Sequence, residues 1–207
     1  MLMYSRIRSS AVFLCLFFSS LGVATAQLRE PAPASRSRDN SSHVQPNIRV
    51  WFSPNGGCTE AVVAEIEAAR RTLDIQAYSF TSAPIAKAVA DAHARGVKVR
   101  AVLDKSQRTA KYTSATYLFN HNVPTFIDDR HAIAHNKIMI IDGATILTGS
   151  FNFTKAAEQS NAENLLVISG NDKLAAEYQR NFETHLGHAK AYTGTAGGEG
   201  ATDDPAR

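Results

Sequence analysis

Short apolar runs alternate with longer amphipathic stretches along most of the chain. In the last amphipathic stretch, Leu174, Tyr178, Phe182 and Leu186 recur at spacing four, which is typical of one face of a helix. Short runs rich in β-branched residues and bounded by Gly, Pro or Asn are typical of strands. These patterns predict strands at residues 48–52, 73–78, 97–103, 123–127 and 165–168, and helices at residues 59–70, 82–95, 114–121 and 172–186.

The order of these elements indicates the fold class. Strands joined by crossover helices form parallel pairs, and one hairpin at Asp142-Gly143 adds an antiparallel pair. Several strands are continuously apolar, as expected for strands buried on both faces. The sequence therefore predicts an α/β fold over residues 48–188, with a mixed β-sheet flanked by helices on both faces.

The two ends of the chain lack this pattern. Residues 1–26 combine Arg6 and Arg8, a short apolar run and a small-residue site before Gln27, which predicts a cleaved signal peptide and a periplasmic or secreted protein. An uncleaved N-terminal anchor is the alternative; after cleavage, no stable membrane insertion is expected. Residues 27–47 are predicted to be a flexible linker, and residues 189–207 a disordered tail.

Net charge does not indicate a nucleic-acid partner. The chain has 22 Lys and Arg against 19 Asp and Glu, and the first 26 residues hold two Arg and no acidic residue, which leaves +1 for the rest. Basic groups that bind a phosphate backbone would have to be placed locally. Lys105, Arg108 and Lys111 are candidates for a basic rim, with a solvated loop as the alternative.

The hairpin predicts a cluster of polar groups. A two-residue loop at Asp142-Gly143 would place Lys137 opposite Thr148 and His135 opposite Ser150. Side chains alternate along strands, so His135, Lys137, Ser150 and Asn152 would share one face. Only a loop with an odd number of residues, or a bulge, would place them on different faces of the sheet.

These groups suit phosphoryl chemistry. An imidazole can attack phosphorus or carry a proton, and an ammonium, a hydroxyl and an amide can bind phosphate oxygens. The cluster lacks the carboxylates that Mg²⁺ prefers. The sequence therefore predicts no metal and no cofactor in the reaction.

The same residues match a known pattern. They follow the form His-x-Lys-x4-Asp with a Gly-Ser-x-Asn extension, which resembles the HKD signature of the phospholipase D superfamily, at His135, Lys137, Asp142, Gly149, Ser150 and Asn152. The runs Tyr78-Ser-Phe-Thr81 and Glu163-Asn164 extend the resemblance to small bacterial endonucleases of the Nuc type, which carry one motif per chain.

The resemblance implies a phospholipase D-like fold, a phosphodiesterase activity and a homodimer with the site at the two-fold axis. His135 of one subunit would attack phosphorus to form a phosphohistidine, and the partner's His135 would act as acid and then base. Lys137, Ser150 and Asn152 would bind the phosphate, and Glu163 would orient a histidine. The implied substrate is DNA, with RNA left open, and little sequence preference is expected.

Other residues have competing interpretations. Asp142 belongs to the turn, so a structural role is expected, whereas Phe80 could stack a base or belong to the core. A metal pair of His131 and His135 is disfavoured because no further ligand is evident from the sequence. His185 and His188, at the end of a helix, are expected to be structural or surface groups.

Two other functions compete with the nuclease. A phospholipid phosphodiesterase would need an apolar patch near the cleft or a retained anchor. A non-catalytic nucleic-acid-binding protein would not need the intact set of site residues, which disfavours it.

Overall fold

The computed structural model describes residues 45–194. The predicted signal peptide, most of the predicted linker and residues 195–207 lie outside this range. The strands are β1 (Asn47–Ser53), β2 (Thr72–Ala77), β3 (Lys98–Asp104), β4 (Thr125–Asp128), β5 (Lys137–Ile141), β6 (Thr145–Gly149), β7 (Glu163–Ser169) and β8 (Lys190–Ala191). The helices are α1 (Cys58–Ala68), α2 (Ala83–Ala94), α3 (Ser114–Asn120), α4 (Lys155–Gln159) and α5 (Asp172–Leu186), with a 3₁₀ turn at Lys105–Arg108.

One eight-stranded sheet organises the domain, in the order β1-β7-β6-β5-β2-β3-β4-β8. The pairs β2–β3 and β3–β4 are parallel, because α2 and α3 cross over between their strands. All other neighbouring pairs are antiparallel. The predicted mixed sheet is confirmed.

Helices cover both faces of the sheet. Apolar residues of α1, α2 and α3, including Val62, Val89 and Leu118, pack against one face in the larger core. On the other face, Phe182 of α5 packs with Ile138 and Ile140 of β5 in a smaller core. This arrangement matches the prediction of an α/β domain with helices on both faces.

An ion-pair network around Arg100 also links α5 to the sheet. The guanidinium of Arg100 on β3 donates two hydrogen bonds of 2.8 Å to Asp74 on β2, and Asp74 is only 4% exposed. The same guanidinium donates a 2.7 Å hydrogen bond to Glu183 on α5. Hydrogen bonding to Asp74 raises the pKa of Arg100, so its charge is retained.

The predicted register of the hairpin is wrong by one residue. Ile141 pairs with Thr145, so the loop has three residues, Asp142 to Ala144, and Lys137 would pair with Gly149 rather than Thr148. The cause is a contact outside the hairpin: the Asp142 carboxylate accepts hydrogen bonds from the backbone N–H groups of residues 70, 71 and 72. Asp142 and Gly143 both adopt positive φ, at 55° and 67°, to make this turn.

The folded region extends past the predicted boundary at residue 188. Lys190–Ala191 forms β8 on the edge of the sheet, antiparallel to β4. The next residue, Tyr192, is 5% exposed and its hydroxyl lies 2.8 Å from the Thr116 hydroxyl of α3. This strand could not be predicted from the sequence, because two residues are too few to show a period. Within residues 45–194, no helix has both the length and the apolar character needed to cross a membrane.

Candidate active site

The predicted site residues lie at one end of the sheet. Because neighbouring strands there are antiparallel, β1, β2 and β6 end at the edge where β5 and β7 begin. Lys137 and Glu163 are the first residues of β5 and β7, and Ser53 and Gly149 are the last residues of β1 and β6. The polar groups therefore come from four neighbouring strands and the loops that continue them.

His135 is exposed on a loop whose backbone is fixed on both sides. The Ala134 N–H donates a 2.7 Å hydrogen bond to the buried Asp104 carboxylate, and the Asn136 carbonyl accepts one of 2.8 Å from the Tyr78 N–H. The ring of Tyr78 also contacts the imidazole, with centroids 4.6 Å apart. Because the imidazole is exposed, a phosphodiester substrate can approach it from solvent, and the fixed backbone holds the ring in place for attack on phosphorus.

Lys137, two residues after His135, is buried, at 8% exposed. Its Nζ donates a 3.0 Å hydrogen bond to the His135 carbonyl and lies 5.2 Å from the centre of the Tyr78 ring. Burial lowers the pKa of Lys137, while the negative charge of Glu163 opposes this shift. The ammonium is therefore partly stripped of water, which strengthens its interaction with a phosphate oxygen.

Glu163 shares a sheet face with Lys137. Alternation puts Glu163 on the side of Leu165 and Val167, and Lys137 on the side of Met139, all of which line the larger core. The side chain accepts a 3.1 Å hydrogen bond from the Asn161 amide, and its backbone N–H donates to the Ser53 hydroxyl.

Ser150 is brought to this edge by a sharp turn after Gly149. The backbone N–H groups of Ser150 and Phe151 both donate to the Asn164 carbonyl at 3.1 Å, which is the geometry of a bulge. The Ser150 hydroxyl in turn accepts a 3.0 Å hydrogen bond from the Asn164 N–H. The three-residue hairpin loop turns Ser150 away from the face of Lys137 if strict alternation holds. The bulge falls at Ser150 itself, and the following Phe151 and Phe153 pack into the larger core.

Asn152 is half-buried, and its Oδ1 atom is buried without a hydrogen-bond partner among residues 45–194. Buried amide oxygens usually accept a hydrogen bond, so Oδ1 has capacity for a donor, whereas the Asn152 NH₂ group is the one that can donate to a phosphate oxygen. The backbone around it is fixed, because the Phe153 carbonyl accepts hydrogen bonds of 2.9 Å from the Thr81 and Ser82 N–H groups.

Phe80 does not offer a face for stacking a base. The residue is fully buried and its ring packs edge-to-face on Phe153, with centroids 5.7 Å apart. Phe80 also forms an isolated parallel bridge with Phe153, which joins the loops after β2 and β6. Of the two interpretations of Phe80, the core role describes its position.

Two of the three candidate rim cations are engaged in local contacts. Lys105 donates to the His131 carbonyl at 3.1 Å, and Arg108 lies 3.4 Å from the Asp129 carboxylate. The third, Lys111, places its Nζ 4.9 Å from the ring centre of Tyr112, which is 78% exposed. This loop adjoins the site, because the Ser114 N–H donates to the Phe80 carbonyl at 2.8 Å. Sequence reasoning missed Tyr112, since a lone aromatic in a polar segment gives no periodic signal.

We expect substitution of Gly149 to disrupt the site. A Cβ atom at this position would lie 2.3 Å from the Asn164 carbonyl oxygen, at φ 145°, whereas a Cβ at Gly143, also at positive φ, would have nothing within 4 Å. Gly149→Ala should therefore lower the free energy of unfolding by about 4 kcal/mol or more, against about 1–2 kcal/mol for Gly143→Ala. Urea unfolding followed by circular dichroism measures both. Equal losses would show that the close approach at Gly149 carries no special cost.

Comparison with known proteins agrees with the geometry. A sequence profile described as "Cardiolipin synthase, PLD-like domain" matches residues 62–186. A protein named Phospholipase D from Rickettsia felis is 36% identical over 166 residues, which cover 80% of this chain and 82% of the relative. A Mitochondrial cardiolipin hydrolase from Chlamydomonas reinhardtii is 30% identical over 168 residues, covering 81% and 70%.

A solved structure supports the same assignment. The crystal structure of Nuc, a phospholipase D family member from Salmonella typhimurium, is 36% identical and matches with a TM-score of 0.69, covering 72% of this chain and 99% of Nuc. Fold, motif and relatives together show that this chain belongs to the phospholipase D family and is a phosphodiesterase with one HKD motif per chain.

Proposed function

We propose that the protein is a metal-independent endonuclease that hydrolyses DNA through a phosphohistidine on His135. The observation that carries this proposal is the exposed His135 imidazole, held against the Tyr78 ring, which also lies 5.2 Å from the buried ammonium of Lys137. Attack by Nε2 or Nδ1 on phosphorus would put negative charge on the equatorial oxygens. Lys137 and the Asn152 amide would stabilise that charge.

The second half of the reaction needs another imidazole. The leaving oxygen must gain a proton, and a water molecule must lose one to release the phosphohistidine. The chain has one HKD motif, so a second copy of the chain would supply the partner's His135 for both steps. Glu163 would accept a hydrogen bond from an imidazole and stabilise its cationic form.

An apolar strip on β1 supports such a dimer. Ile48, Val50 and Phe52 are 58%, 49% and 63% exposed, and alternation places all three on one face of this edge strand. The strip reaches the catalytic end of the sheet, because Phe52 pairs with Asn164 beside Glu163. Contact of two copies through this strip would cover apolar surface and bring two sites together.

The Lys111–Tyr112 pair favours a nucleic-acid substrate. An exposed aromatic ring next to a cation, on a loop tied to the site through Phe80, can stack a base while the ammonium contacts a phosphate. The resemblance to the small Nuc-type endonucleases supports the same choice. A periplasmic or secreted location, proposed from residues 1–26, would suit degradation of extracellular DNA.

A phospholipid phosphodiesterase is the second candidate. Relatives are named Phospholipase D and Mitochondrial cardiolipin hydrolase, and Ile133, two residues before His135, is 56% exposed. One exposed isoleucine is a small apolar surface for binding a bilayer, so we rank this substrate second.

The chemistry is tested by nicking of plasmid and single-stranded DNA in excess EDTA. We expect the wild-type chain to cleave and His135→Ala to lose at least about 1,000-fold in rate, because the nucleophile is gone. His121→Ala is the matched control, since within residues 45–194 the ring of that exposed histidine forms a hydrogen bond only with the Tyr117 carbonyl. If the chain does not cleave DNA but hydrolyses phosphatidylcholine or cardiolipin in vesicles, the protein is a phospholipid phosphodiesterase and not a nuclease.

The dimer is tested by Phe52→Glu. A buried carboxylate would separate the subunits, so sedimentation should give a monomer and the cleavage rate should fall by about 100-fold or more, the contribution of a general acid. Phe119→Glu is the control, because this residue is 41% exposed on α3, near the opposite edge of the sheet. A fully active monomer would contradict a site shared between two subunits.

A further inference from the structure

A buried carboxylate surrounded by three imidazoles lies at the end of β4. Asp128, the last residue of that strand, is 0% exposed. Its Oδ2 atom lies 2.7 Å from Nδ1 of His185 and 3.1 Å from Nδ1 of His131. Its Oδ1 atom lies 3.2 Å from Nε2 of His188.

The fold brings these four residues together from two separate segments of the chain. Asp128 ends β4, and His131 follows in the next loop. His185 belongs to the last turn of α5, and His188 lies just beyond the end of that helix. The three rings pack on one another, with centroid separations of 4.8, 5.3 and 5.4 Å. This cluster was not predicted from the sequence. In the structure, His131 lies beside Asp128 and the end of α5, whereas from the sequence His131 was considered only together with His135.

Hydrogen bonding alone leaves the cluster incomplete. Nε2 of His188 is buried and, although Asp128 is 3.2 Å away, makes no hydrogen bond of acceptable direction with any residue in the range 45–194. A buried nitrogen without a partner is costly.

We propose that Asp128, His131, His185 and His188 bind one Zn²⁺ ion. Zinc prefers three or four nitrogen, sulfur or oxygen ligands at about 2.0–2.1 Å in a tetrahedron, whose edges are then about 3.3 Å. The four ligand atoms lie within 4.8 Å of one another, so small side-chain movements suffice to close such a tetrahedron. Imidazole nitrogens exclude Mg²⁺ and Ca²⁺ as the preferred ions, because those cations take oxygen ligands.

The site would be structural rather than catalytic. It offers four protein ligands, and catalytic zinc sites keep a position open for water or substrate. The site also lies far from Lys137, because β2 and β3 separate β4 from β5 in the sheet. Three strand spacings correspond to a lateral distance of about 14 Å. The ion would tie the loop that leads to His135 to the end of α5.

A structural zinc site would affect the outcome of experiments with a chelator. Removal of a structural zinc would loosen the loop through His131 and lower activity without any metal in the reaction. A loss of activity in chelator therefore has to be compared with a chain in which His185 and His188 are replaced, before the metal is assigned to catalysis.

The first test is metal analysis of the full chain without a polyhistidine tag, after equilibration with micromolar zinc and removal of unbound ion. We expect one zinc per chain in the wild type and at least a tenfold loss in the double variant His185→Ala, His188→Ala. His121→Ala should keep the full zinc content, because that histidine lies on α3 outside the cluster. Zinc content that is equal in the double variant and the wild type would overturn the proposal.

A second test uses the wild-type chain alone, so it does not depend on the folding of a variant. Cobalt(II) added to the metal-free chain should give the visible absorption of tetrahedral coordination, and zinc at about 100 times its dissociation constant should raise the unfolding midpoint by about 5–10 °C. A weak octahedral cobalt spectrum, or a midpoint unchanged by zinc, would contradict the proposed site.

Discussion

The close approach between Gly149 and the Asn164 carbonyl is the constraint on which the site depends. Only glycine fits there, because any Cβ would lie 2.3 Å from that oxygen. The approach lets β6 leave the sheet abruptly, so that Ser150 and Phe151 both donate to the same carbonyl. The chain then reaches Phe153, which bridges to Phe80 and fixes the loop that carries Tyr78. The Tyr78 N–H in turn donates to the Asn136 carbonyl, which holds the backbone on one side of His135.

Electrostatics at the two ends of β5 differ in a way that suits their roles. At the far end, Asp142 accepts three backbone hydrogen bonds, and burial, which raises its pKa, is outweighed by these bonds, so that the pKa is lowered. That carboxylate stabilises the fold. At the near end, Lys137 is buried with a lowered pKa and with Glu163 as an opposing charge. A buried cation costs stability but gives a phosphate a strong partner.

The hydrophobic pattern predicts most of the sheet and the helices, because long periodic segments carry strong signals. The grouping of the motif residues was predicted from the register of the hairpin, and that register is incorrect by one residue. The expected two-residue loop is a three-residue loop, because Asp142 binds the backbone before β2, a contact that no local pattern shows. The bulge after Gly149 also depends on a contact with a distant part of the chain, the Asn164 carbonyl. Ser150 still lies at the same end of the sheet as Lys137, because β6 ends where β5 begins.

Features that depend on distant parts of the chain could not be predicted. Phe80 was a candidate for base stacking, but only the tertiary contact with Phe153 shows that it is buried. The cluster on Asp128 joins β4 to the end of α5, 57 residues away, so neither spacing nor composition indicates it. Both cases concern single side chains whose partners are set by the packing of whole elements.

The most direct test of the account is detection of a covalent intermediate on His135. The chain would be mixed with an oligonucleotide labelled at both ends, quenched in alkaline detergent and analysed by peptide mass spectrometry. We expect a DNA adduct on the peptide containing His135, formed in EDTA, stable to alkali, lost in acid and absent from His135→Ala. Full cleavage activity in His135→Ala, or turnover that requires a divalent metal and never gives the adduct in wild type, would contradict the phosphohistidine mechanism.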